Sequence, residues 1–101
     1  MGDLDKEIRE LSGQVQRTQY QFLKAELQTC FTALEIAQFE LSIGSTIVVQ
    51  REVAAVEKGV AVIQRFLSTL PQDQRREVDA KLEELNAILE SVKAAVDPHW
   101  R

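Results

Sequence analysis

A chain of 101 residues, 45% of them hydrophobic and 28% charged, suits one folded domain and excludes a disordered segment. Twelve Lys and Arg stand against sixteen Asp and Glu, a net charge of -4 with no block of like charges, which argues against nucleic acid as a partner. A lone cysteine, Cys30, excludes an intramolecular disulfide framework and fits a reducing compartment.

The first element is a helix over about residues 3–43. No proline interrupts it, its start is acidic as the helix dipole prefers, and apolar residues recur at steps of three and four. Leu4, Ile8, Leu11 and Val15 form one stripe; Leu23, Leu27, Cys30, Leu34, Ala37 and Leu41 form a second. This is coiled-coil spacing, with a stutter through Gln19 between the two stripes. Ser12 and Gly13 are the weakest point, because a glycine costs about 1 kcal/mol inside a helix.

Gly44 and Ser45 close this helix and open the next: glycine accepts the left-handed C-terminal conformation, and a serine hydroxyl can cap the amides that follow. So short a connection predicts an antiparallel hairpin. The second helix spans about 46–70, with Val49, Val53, Val56, Val60, Ile63, Leu67 and Leu70 in one register and Val48, Ala55, Gly59, Val62 and Phe66 beside it. Two apolar stripes predict the central, most buried helix. Glu57 and Lys58 are its least comfortable charges, expected at a solvent-facing edge or in a pair that sets register. Gly59 beside Ala55 permits a close helix approach.

Pro71 stops the second helix and suits the start of a third over about 72–96. There Val78, Leu82, Leu85, Leu89, Val92 and Val96 form the apolar face, with Arg75, Arg76, Lys81, Glu83, Glu84 and Glu90 around it. Asp97 and Pro98 end it, and His99, Trp100 and Arg101 are read as a frayed tail. The expected fold is all-α: a long antiparallel hairpin plus a third helix, a three-helix bundle in a single domain over 1–101, completed by oligomerisation.

At 1.5 Å per residue the first helix would be about 60 Å long and the others about 36 Å. The N-terminal stripe therefore overhangs, and full burial of its four side chains would contribute roughly 6 to 12 kcal/mol. Leu4, Ile8, Leu11 and Val15 are the candidate interface. The expected partner is a second copy of the chain, a dimer first of all, with another helical protein as the other candidate. The alternative is a break near Gly13, with the first segment folding back as a fourth helix of a monomeric bundle.

Little points to chemistry. Glu26, Glu35, Glu40, Glu52 and Glu57 lack the Glu-x-x-His companions of di-iron helical proteins, and the sole histidine is His99, so neither metal nor cofactor is expected. Cys30 falls on a core stripe, which reads as packing and not as a nucleophile. Tyr20, Phe22, Phe31, Phe39 and Phe66 read as core or interface aromatics. There is no phosphate-binding glycine loop, zinc spacing or Ser/His/Asp constellation, and no enzyme is expected.

No window is apolar enough to span a membrane, and the N-terminus has neither a basic start nor an apolar run. Gly2 has Lys6 where a myristoylation signal wants Ser or Thr. A cytoplasmic protein is expected. The hairpin from about Leu23 to Leu70 resembles a tetratricopeptide-type unit in architecture only: Val49 stands where that repeat carries a small residue and no second copy follows. The leading functional expectation is a non-enzymatic oligomerisation or interaction module. Its rival is a small-molecule or regulatory binding protein with a site between the helices.

Overall fold

The computed structural model describes residues 2–96; the readings of Asp97, Pro98 and the tail His99 to Arg101 lie outside the described residues. Three helices follow in order, α1 (Gly2–Ser42), α2 (Thr46–Leu67) and α3 (Gln72–Val96), and no strand occurs among the described residues. The fold is an all-α three-helix bundle. It is rod-shaped, 64 Å long and 19 Å across in both other directions, because α1, with 41 residues, far outreaches α2 with 22 and α3 with 25.

α1 is unbroken through Ser12 and Gly13, which removes the folded-back fourth helix as a reading of the chain. Its end is set by Gly44 at φ +79. The Ser45 amide donates to the Glu40 carbonyl at 2.9 Å and the Gly44 amide to the Leu41 carbonyl at 3.2 Å, the double bond pattern of a left-handed glycine cap. Ser45 does not cap α2 as expected: its hydroxyl makes no capping bond, and only its carbonyl serves, accepting from the Val49 amide at 3.2 Å.

α2 stops at Leu67, three residues earlier than its apolar register suggested. The Thr69 and Leu70 amides donate to the Phe66 and Leu67 carbonyls, tightening the chain into a turn that still buries Leu70. Arg75 then reaches back from α3 to donate to the Leu70 carbonyl at 3.1 Å and the Ser68 carbonyl at 3.5 Å, so acceptors freed at the end of one helix are satisfied by the next.

The core is apolar throughout, and no polar or charged residue is buried among the described residues. α1 supplies Leu23, Leu27, Cys30, Ala33, Leu34 and Ala37, α2 supplies Val49, Val53, Val56, Gly59, Val60 and Ile63, and α3 supplies Val78, Leu82, Leu85, Leu89 and Val92. α2 is not enclosed as its second stripe predicted: Ala55 and Phe66 are exposed and Val48 and Val62 half-buried. Three rods cover only one sector of each other, so the outer flank of α2 meets solvent. Glu57 is likewise exposed, with its carboxylate 3.6 Å from Lys93 on α3, at the solvent edge expected for it.

Candidate functional site

The bundle begins at Tyr20. Its hydroxyl donates to the Glu77 carboxylate, fixing the first turns of α3 beside that point of α1, and the first buried side chain of α1 is Leu23. N-terminal to Tyr20 none of the described residues is buried. About 25 Å of helix, at 1.5 Å per residue, therefore projects from the bundle.

The four residues expected to form an interface are brought together on one face of this projection. Leu4 is 63% exposed, Ile8 53%, Leu11 61% and Val15 56%. Ile8, Leu11 and Val15, with Ser12, Gln16 and Gln19, line an open groove that reaches Thr69, just past the end of α2. The groove runs along the projection to the foot of the bundle.

Phe22 and Phe66, both expected as core or interface aromatics, extend the apolar surface beyond the four residues of the N-terminal stripe. With Thr18, Gln19 and Leu23 they line a second recess on the outer flank of the α1–α2 pair, and both rings are exposed rather than in the core. The signal for Phe22 was present, since it stands seven residues after Val15 and continues the same heptad. Phe31, by contrast, packs against the core, as does Tyr20.

Another exposed apolar group lies at the opposite end, around the turn: Ile36, Phe39, Ile43 and Ile47. Spacing on α1 places Ile36 and Phe39 on one face, with Ile43 just past its end, and this group was not anticipated.

The foot of the bundle is mixed in charge with a small basic excess, Arg65, Arg75 and Arg76 against Asp73 and Glu77. The Arg65 guanidinium lies 5.7 Å from the centre of the Phe66 ring, and Arg75 is held against the turn by the carbonyls it caps. The tip of the projection is acidic: Asp3, Asp5, Glu7 and Glu10 outnumber Lys6 and Arg9.

Two titrating groups among the described residues are displaced from their usual ranges. Burial, and then the nearby Glu26 carboxylate, push the Cys30 thiol above its usual range, which suppresses the nucleophilic thiolate. Tyr20 is raised as well, first by its bond to Glu77 and then by desolvation and the Glu77 and Asp73 charges. Among the described residues no group of three or more His, Cys, Asp or Glu could hold a metal ion, and no helix is long and apolar enough to cross a membrane. The chain matches no protein-family model, and neither the curated proteins nor the solved structures include a significant match to it.

Proposed function

We propose that the protein is a non-enzymatic assembly module that self-associates through the N-terminal projection of α1, with Leu4, Ile8, Leu11 and Val15 as the contact. One observation carries this reading: a helix segment of more than four turns has an apolar stripe more than half exposed and no tertiary cover. Helices of this length are marginal in water by themselves. A partner surface supplies what the subunit lacks, and a second copy is the simplest source.

The apolar group at the turn end is a weaker candidate, because it sits on α1 and α2 where they already support each other. A ligand site between the helices has less support still. Such sites need a few convergent polar groups in an apolar pocket, and the core offers none among the described residues.

Light scattering over a concentration series, with circular dichroism on the same samples, tests the proposal. The wild-type chain is expected to exceed monomer mass at high concentration. The double variant Ile8→Glu, Leu11→Glu should be monomeric with the bundle still helical, and Phe39→Ser at the turn end should keep the wild-type mass. Dissociation by Phe39→Ser alone would move the interface to the turn; a wild-type monomer at every concentration would end the proposal.

A further inference from the structure

We infer that two copies pair antiparallel through their projections, the partner's helix taking up the line along α1 that α2 leaves at Leu67. This rests on the self-association proposed above and adds the orientation, the register and a charged contact at the foot of the bundle.

The groove sets the direction and the limit. It is lined by Ile8, Leu11 and Val15 and reaches Thr69 at the foot of the bundle, so a helix laid along it runs in until its tip meets the foot. With the partner's first helical residues against the foot, the partner's Leu4 lies opposite Val15 and the partner's Ile8 opposite Leu11. A twofold axis repeats each of these layers. The mixing of core positions from the two strands is the layer pattern of antiparallel coiled coils.

Charge selects antiparallel over parallel pairing. A parallel pair would set Asp3, Asp5, Glu7 and Glu10 beside their own copies and bring two positive helix N-termini together. The antiparallel pair carries each acidic tip to the other subunit's foot, where Arg65, Arg75 and Arg76 outnumber Asp73 and Glu77 and Arg75 is held by the Ser68 and Leu70 carbonyls. It also turns the positive N-terminus of one α1 towards the negative C-terminus of the other subunit's α2.

Size decides the strength. Full burial of an aliphatic side chain corresponds to roughly 60 to 120 Å², so four side chains per copy at just over half exposure return on the order of 300 to 550 Å² of apolar surface. With about three-fifths of an interface apolar, the whole contact is on the order of 500 to 900 Å², below the standard size for stable complexes. The dimer is therefore weak and reversible. Since exposed ion pairs are screened by salt, the charged part of the contact weakens as ionic strength rises.

Thiol crosslinking of the full chain tests orientation separately from association. Leu4→Cys and Val15→Cys are made as two single variants, and Cys30, buried in both, serves as the unreactive background. A short bis-maleimide is expected to couple an equal mixture of the two into dimers while coupling neither alone, because like positions lie about 16 Å apart along the pair. Efficient coupling of each variant with itself would overturn the antiparallel arrangement and leave self-association standing. A dimer by sedimentation with no coupling in any sample would overturn the stripe as the contact, and a monomer throughout would remove the underlying reading. As a second measurement on unmodified protein, small-angle scattering should give a longest dimension near ~100 Å as dimer forms, from two 64 Å rods overlapping by about 25 Å. A value remaining near the single rod would refute the arrangement.

Discussion

Gly59 of α2 packs so closely on Cys30 of α1 that a methyl group at position 59 would overlap the Cys30 Sγ. The thiol also points at the Val56 carbonyl, 4.0 Å away, so these two residues set the approach of α1 and α2 at mid-bundle. Gly59→Ala should gain about 1 kcal/mol in helix propensity and lose more to overpacking, typically 1–3 kcal/mol. A net loss in urea unfolding is expected. In a Cys30→Ala background the clash partner is gone, and the same change should become neutral or stabilising. Additive effects in this double-mutant cycle would show that the two helices are not in contact at this point.

The raised Cys30 thiol gives stability a dependence on pH. The unfolded thiol titrates near ~8.5, below the folded one, so the unfolded chain loses its proton first as pH climbs. The stabilising term is thus complete below the unfolded value and fades as pH rises through the folded one. Tyr20 is displaced in the same sense and acts at higher pH. Urea midpoints between pH 7 and 10.5 should fall with pH, and Cys30→Ala should remove the earlier part of the fall. An identical profile in Tyr20→Phe, Cys30→Ala protein would assign the loss to other groups.

Much of this architecture was legible because a heptad reports which residues share a face. Leu23, Cys30, Val53, Ile63 and Leu85 are core residues as their spacing required, and Gly44 and Pro71 marked the two turns. Spacing is silent on where cover ends. Val48, Val62 and Phe66 keep helical period as faithfully as Val49 and Ile63, and only the number of helices around α2 decides which stripe is buried. The same limit hid Phe22. It continues the projection's stripe, yet lies beside Leu23, and neighbouring residues on a helix point about 100° apart.

Exposure separates residues that composition treats alike. Leu85 is fully buried, whereas Ile47 is 79% exposed. Leu85→Ala should cost about 2–5 kcal/mol, a large part of the stability of so small a domain. Ile47→Ser should stay within about 0.5 kcal/mol of wild type. Thermal melts of the two variants would check this contrast, and a comparable loss in Ile47→Ser would reveal packing around the turn that the monomer lacks.

The Glu57–Lys93 bridge joins α2 to α3 across the surface, and Lys93 also lies 3.8 Å from Glu90. Half-exposed pairs of this kind are screened and contribute about 0.2–1 kcal/mol. Lys93→Ala is expected to lower stability by no more than that, with the difference vanishing in 1 M salt. A salt-independent loss would point to the packing of the Lys93 stem as its source.

Gly13 links the stability of the projection to its assembly. A Cβ there would meet nothing closer than the Arg17 guanidinium at 3.6 Å, so Gly13→Ala fits without strain and should favour helix by about 0.8–1 kcal/mol. In a monomer the projection has no tertiary contacts to hold it, so it is expected to fray in solution and to order fully when covered. The gain in each of two chains should then appear in the association constant, about 14- to 27-fold by the 1.4 kcal/mol-per-decade relation. Hydrogen exchange gives the independent readout. Amides between Leu4 and Gln16 should become more protected as protein concentration rises, and further so in Gly13→Ala, while those between Leu23 and Ala37 stay unchanged. Tighter association without that local protection would mean that the glycine acts elsewhere, and that the projection is already fully formed in the lone subunit.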